Sequence, residues 1–333
     1  LDVPPQATHV IVPGYCCGVV DELNETLGIP LICGPKDCRA LPELFGSQTP
    51  QGDLNAYDIE IIAEINHAPQ LSIRDVVEQA KRLRCDGADV IDFGCDPGAR
   101  CNGIGDYVAA LIDEGLRVSV DTFDVWEAAE ATRRGASLVL SVNSSNSEAA
   151  ADWGSEVVVI PDVPGDEKSF EKTVDFLATR GVPMRLDPIL EPIGTGFIDS
   201  LVRYAQVRRQ YPDRSMMMGI GNLTELTDVD SAGINLLLMG ICQELSIQSV
   251  LTTQVISWAK TSVRECNLAR RLTHYSVKNG VPPKRLSDQL VLLRDARLLP
   301  YSEGALQALA ESVRDTNYRI LAQDDQIHLI ASG

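Results

Sequence analysis

"DIEIIAEINHAPQLSIRDVVEQAKRLRCDGADVIDFG", residues 58–94, holds two short apolar runs separated by a polar turn and an amphipathic stretch. The runs at 58–65 and 88–94 are short and rich in Ile and Val, the pattern of buried strands. Between them Ser72 stands where an N-cap accepts from the backbone, and Gly87 stands where a left-handed residue closes a helix. Strand then helix is therefore the unit to look for in the rest of the chain.

The unit recurs. Further strand-like runs lie at 117–123, 137–143, 156–162, 183–189, 215–221 and 246–253, which brings the total to eight. The segment "DVWEAAEATRRGA" repeats the helix pattern, with Asp124 as cap and Gly135 as stop. Eight such alternations within the ~250 residues of a usual single barrel predict an α/β fold, the (β/α)8 TIM barrel. An open doubly wound sheet would place a glycine-rich phosphate loop after its first strand, and "EINHAP" has none. Residues 1–55 differ: "THVIVPG" and "IPLICGP" flank a short helix and lead into "FGSQTPQGD", a small N-terminal α/β segment. The barrel is expected over 56–275. A C-terminal extension comes after it over 276–333, where "GVPPKRLSDQLVLLRD" breaks the rhythm and "NYRILAQDDQIHLIASG" reads as a hairpin around Asp324 and Asp325.

A formal charge of −18 and a pI near 4.6 exclude a nucleic-acid or anionic-membrane surface, which needs a basic stripe. No run reaches the ~20 apolar residues of a membrane helix. The nine cysteines are scattered without a CxxC pair, so they read as reduced thiols of a cytoplasmic protein. Cys16, Cys17, Cys33 and Cys38 match no standard zinc spacing, and no metal is expected. Cys95 and Cys101 bracket a loop without an assigned role. The chain begins with Leu1, which leaves an upstream segment open.

In a barrel the chemistry sits on the loops after each strand. Those positions read Asn66 and His67, Asp96, Asp121, Asn143, Asp162, Asp187 and Asn222. Taken singly, each is also what a turn former looks like. Together, carboxylates and amides suit a flat heterocycle with several N–H donors. Strand alternation turns Ser119 and Asp121 into the lumen and puts Arg185 on the same side as Asp187, where it is expected to neutralise the carboxylate or hold an anionic tail. Glu64 is expected to fill a layer of the lumen, or to pair with Asn66 if it points into the mouth. His67 is the candidate acid or base. Lys260 and Arg264, one turn apart, are candidate anion ligands. In "MMMGIGNLTELTD", 216–228, the methionines read as barrel filling, and the glycines as the turn that leaves Asn222 at a strand tip.

"GADVIDFGCDPG", "VSVDTFDVWEAAEATRRGA", "LVLSVNSS" and "RLDPILEPIGTG" resemble, in order and spacing, the pterin-binding barrels of dihydropteroate synthase and the folate-dependent methyltransferases, over roughly 58–272. The resemblance implies that Asp121, Asn143 and Asp187 hold a pterin ring and that Asn222 lies near its N5. "GYCCGVVDEL", "GPKDCRALPELFG" and "DTNYRI" are similar to dihydropteroate synthase-related proteins of archaea and of methylotrophic or planctomycete bacteria, which are linked to tetrahydromethanopterin. Where a synthase carries serine-arginine-lysine and arginine-histidine at strands seven and eight, this chain has "GIGN" and "LTTQ". The likeness thus implies a protein that handles a reduced, tetrahydromethanopterin- or folate-like pterin, with Asn66, Asp96, Asp121, Asn143, Asp187 and Arg185 as pterin contacts and Asn222 and His67 as catalytic groups. It is expected to be a transferase other than a conventional synthase, as a homodimer or within a methyl-transfer or biosynthetic complex, a corrinoid partner being left open. The alternatives are a non-catalytic pterin-binding subunit and a barrel for an unrelated sugar or phosphate.

Overall fold

The computed structural model describes residues 6–14, 20, 24, 28–35, 41–46, 54–284, 286–287, 289–290, 301–314, 318–323 and 326–330. The chain divides into two units, residues 1–55 and 56–333. In the first, β1 (Val10–Val12) and β2 (Leu31–Cys33) pair in parallel with Val10 opposite Leu31, and a helical turn, Leu41–Leu44, comes next. Cys33 is disulfide-bonded, which corrects the all-thiol reading. Cys16, Cys17 and Cys38 lie outside the described residues, while Cys85, Cys95, Cys101, Cys242 and Cys266 are free thiols.

In the second unit the eight expected strands are all present. They are β3 (Glu60–Ile65), β4 (Val90–Gly94), β5 (Val118–Asp121), β6 (Leu138–Val142), β7 (Glu156–Val159), β8 (Met184–Leu186), β9 (Ser215–Gly219) and β10 (Ser249–Thr252). Every neighbouring pair is parallel, and β10 returns to β3, so the sheet closes into the TIM barrel. Helix ends obey the local chemistry. Ser72 caps Ile73–Asp86 by accepting from the Asp75 N–H at 3.2 Å, and Gly87 ends it at φ 115°. Asp124 caps Val125–Arg133 through the Trp126 and Glu127 N–H groups at 2.8 and 3.1 Å.

Strand alternation divides the core in two. Ile62, Val90, Leu138, Leu140, Val158 and Met217 point inward and fill the lumen. The opposite faces, including Met216 and Met218, pack against the helix ring. So one of the three methionines fills the barrel and two serve the outer layer. At the N-terminal end of the strands Glu60 and Glu156 meet the Arg185 guanidinium at 2.6 and 2.8 Å. Burial alone would raise the Glu60 carboxyl, but Arg185 and Arg117 overcome it and hold that group below its usual range.

Beyond the last barrel helix, Ser262–Asn279, lie the helix Glu303–Ser312 and the antiparallel hairpin of β11 (Arg319–Gln323) and β12 (Gln326–Ile330). The expected tip, Asp324 and Asp325, lies outside the described residues. Among the described residues no helix is long and apolar enough to cross a membrane.

Candidate functional site

The lumen beneath the strand C-termini is acidic. Ser119 and Asp121 face inward as alternation requires. The Ser119 hydroxyl donates to Asp92 Oδ1 at 2.6 Å, and Asp121 Oδ1 accepts from Ser141 Oγ at 2.6 Å. Ser141 reaches it because the β6–β7 register shifts between Val139 and Val142 and Ser141 takes φ 66°, a bulge that re-aims its side chain. Across the mouth, Asp187 Oδ1 accepts from the Tyr204 hydroxyl at 2.5 Å and from the Ile189 N–H at 2.8 Å. Asp121 and Asp187 thus each have Oδ1 tied to the protein, Asp121 by Ser141 and Asp187 by Tyr204 and Ile189. Among the described residues, three of the four non-glycine residues with positive φ, His67, Ser141 and Ile189, stand at ends of barrel strands. Strain of ~1–3 kcal/mol each persists where the surroundings enforce it, commonly at functional sites.

Burial sets the protonation of this group. It raises the Asp121 carboxyl, with the Ser141 bond partly offsetting it. It pushes Asp187 up to about 6 against the Tyr204 bond and the Ile189 and Gly219 N–H groups. Fully buried Asp92 is raised well above the carboxylate range, by burial first and then by the charges of Glu64 and Asp121. Glu64 is pushed up to about 8, by burial first and then by Asp121 and Glu225.

The amides complete the mouth. Asn143 Oδ1 accepts from the Ser145 N–H at 3.0 Å and its hydroxyl at 2.7 Å, which leaves the Nδ2 hydrogens to donate. Asn222 Nδ2 donates to the Leu190 carbonyl at 3.0 Å, so its Oδ1 is the group left over. Asn222 sits on a short helix, Gly221–Thr224, not on a strand tip, and neither Gly219 nor Gly221 adopts a positive φ. Gly219 instead keeps space open, since a Cβ there would lie 3.8 Å from Asn222 Nδ2 and 3.9 Å from Asp187 Oδ2. A polar atom of the Asn66 amide lies 2.7 and 3.2 Å from the two Glu64 oxygens, the pairing expected if Glu64 faced the mouth.

His67 and Asp96 form a rim pair, with Nδ1 2.5 Å from Oδ1 and Gln70 Nε2 at 3.1 and 3.3 Å from the same carboxylate. Asp162 is exposed and takes the Ser144 N–H and hydroxyl at 3.0 and 2.7 Å, the work of a turn former. Arg185 does lie on the Asp187 side of β8, but its guanidinium extends to the opposite end of the barrel and is consumed by Glu60 and Glu156, which corrects its expected place at the mouth. Lys260 comes after the turn Ser257–Ala259 and Arg264 lies in the first turn of the helix Ser262–Asn279; both are exposed.

A cavity of about 570 Å³ opens beside Asp121, bounded by Cys95–Arg100 on one loop and by Asp121–Asp124 with Glu127 on the next. Arg100 is held there by Asp124 at 2.7 Å and lies 5.6 Å over the Trp126 ring. Burial and then Glu127 push the Cys95 thiol far up, and burial raises Cys101, so neither is a ready nucleophile. Asp92 and Glu225 escaped the sequence reading. Asp92 could have been found from its two-residue spacing to Val90 and Gly94, and Glu225 from its place one turn after Asn222.

No family model matches the chain. An uncharacterised protein of Methanocaldococcus jannaschii, MJ0107, is 30% identical over 263 residues, 72% of this chain and 50% of that protein, so the chain spans about half the length of this curated relative. Among solved structures, dihydropteroate synthase of Yersinia pestis with a pterin-sulfa conjugate superposes with a TM-score of 0.54 at 17% identity, over 68% of this chain and 96% of that one. The Coxiella burnetii synthase in complex with pteroic acid gives 0.52 at 13% identity, over 66% and 93%. The Thermus thermophilus synthase in complex with 6HMPPP gives 0.51 at 20%, over 68% and 95%. The barrel therefore has the fold of the dihydropteroate synthases.

Proposed function

We propose that this chain binds a reduced pterin at the mouth of its barrel and acts on it in the making or use of a tetrahydromethanopterin- or folate-type one-carbon carrier. The observation that carries the reading is the pair Asp121 and Asp187, two buried carboxyls at the strand C-termini whose Oδ1 atoms are fixed by Ser141 and by Tyr204 with the Ile189 N–H. A pterin edge offers parallel N–H donors to such acceptors, and Asn143 Nδ2 supplies a donor for a ring acceptor. Asn66 and Asp96 close the contact on the β3 and β4 loops. Asn222 faces the ring with its free Oδ1, and His67, oriented by Asp96, supplies acid–base capacity at the rim. Lys260 and Arg264 are the cations available for an anionic tail. The fold shared with synthases that were solved with pterin ligands supports the same reading.

Conventional synthase turnover is not part of this proposal. The ends of β9 and β10 present Gly219, Asn222, Thr252 and Thr253, where a departing pyrophosphate would need cations. Missing electrostatic clamps of that kind cost several kcal/mol, ~3 for a single donor. The same feature favours the second reading, a pterin-binding subunit that lends its site to a larger homo- or hetero-complex. Calorimetric titration with oxidised, dihydro and tetrahydro pterins tests the first step, and failure of all three to bind overturns both readings. Turnover with a pterin pyrophosphate and p-aminobenzoate is expected to yield no pteroate.

A further inference from the structure

The lumen acids are crowded by construction. Glu64 and Asp92 are register partners across β3 and β4, and Gly94 and Asp121 are partners across β4 and β5. Gly94 has no side chain because a Cβ there would sit 2.5 Å from Glu64 Oε1. Asp92 is fully buried, and its Oδ2 has no hydrogen-bond partner. A buried carboxyl without a partner for one oxygen and with other carboxyls nearby is tolerable only if a proton is retained, so these acids cannot all be ionised together. The charged groups that face Glu64 are Asp92 from β4, Asp121 from β5 and Glu225 from the segment after β9. On the β10 side the neighbours are the uncharged Leu251 and Thr253, and Thr253 bonds Glu225. On the loop after β3 the titratable group is His67, paired with Asp96 of the loop after β4, and Glu60 is tied to arginines at the far end.

The Asn66 amide stands against this cluster, with one polar atom within hydrogen-bond distance of both Glu64 oxygens. We infer that the proton on Glu64 decides which end of the Asn66 amide is shown to a ligand, so that Glu64 is a positioning residue for donor–acceptor specificity. When Glu64 is a carboxylic acid, its O–H donates to Asn66 Oδ1 and the Nδ2 hydrogens turn outward. When Glu64 is a carboxylate, it accepts from Nδ2 and Oδ1 turns outward. Passing from the first state to the second releases one proton to water through the mouth and flips the amide about its last side-chain bond; no other bond is made or broken. With Glu64 pushed up to about 8 by burial, the exchange falls near physiological pH.

The consequence for specificity rests on the pterin reading above. A dihydropterin carries an imine nitrogen, an acceptor, where a tetrahydropterin carries an N–H donor. The acid form of the site matches the former and the ionised form the latter. A matched against a mismatched buried hydrogen bond changes affinity by about tenfold or more.

Two measurements test this. In ligand-free protein labelled at glutamate carboxyls and asparagine amides, one glutamate is expected to titrate near pH 8 and the Asn66 NH2 resonances to move with the same midpoint. Glutamates that all titrate in the ordinary range, or an Asn66 amide that stays put, overturn the inference whether or not any pterin binds. Next, the dihydro- to tetrahydropterin affinity ratio is expected to fall about tenfold between about pH 6.5 and about pH 9.5 in the parent and to stay flat in Glu64→Gln, which cannot titrate. Identical pH profiles for the two proteins refute the switch. Coupled titration without binding of any pterin keeps the switch and removes the functional reading instead.

Discussion

Asp121 should be the least replaceable side chain in the molecule. Asp121→Asn keeps its shape but sets an N–H against the ligand's N–H groups, so pterin affinity should drop by about 2 kcal/mol or more, roughly thirtyfold, in calorimetry, with the circular dichroism unchanged. Ser141 supplies the bond that offsets burial of Asp121. In Ser141→Ala the Asp121 carboxyl should climb further, and the acidic limb of the pterin-binding profile should move to higher pH; an unmoved limb would mean that the bond does nothing for the ligand. The inward aim of Asp121 was legible in the sequence because strand alternation fixes the face of a residue. Its reach is another matter. Arg185 occupies the face alternation assigned to it, yet its long side chain runs to Glu60 and Glu156, and no strand-by-strand reading sees partners on β3 and β7. The crowding of Glu64, Asp92 and Asp121 was hidden for the same reason, since it arises from register between strands.

At the scale of elements, two glycines at strand ends should respond differently. Alanine at Gly219 meets only ordinary contacts at 3.8 and 3.9 Å, so Gly219→Ala should fold and melt like the parent yet bind pterin more weakly, because its methyl enters the space between Asp187 and Asn222. Alanine at Gly94 collides with Glu64 Oε1 at 2.5 Å and nears the Ile65 carbonyl at 3.1 Å, so Gly94→Ala should lose about 1–3 kcal/mol of stability in urea titration. The eight strands and the caps at Ser72 and Asp124 were readable because apolar runs and capping chemistry are local signals. Asn222 was misplaced onto a strand tip because the turn into Gly221–Thr224 needs no left-handed glycine, and a helix of four residues leaves no periodicity to read.

For the whole molecule, the lumen acids should dominate the pH dependence of stability. Glu64, Asp92, Asp121 and Asp187 all have raised folded-state pKa values, so the folded chain holds protons that the unfolded chain has released. Their stabilisation is complete below the ordinary carboxylate range and is lost as pH rises toward about 8. Glu60 and Asp124, held low, act in the opposite sense and are lost only in strong acid. The melting temperature should therefore be higher at about pH 5.5 than at about pH 8.5, and Glu64→Gln should shrink the difference. An equal or reversed order would show that the acids are less buried than their packing implies.

The lower end of the barrel gives this acid store an unusual boundary. Arg185, Glu60 and Glu156 stopper that end, and the layer of Ile62, Val90, Leu138, Val158 and Met217 lies above them like wax. Asp92 is fully buried. A flat ring bound at the strand C-termini, as proposed, would lie between these acids and water and should slow their exchange of protons with it.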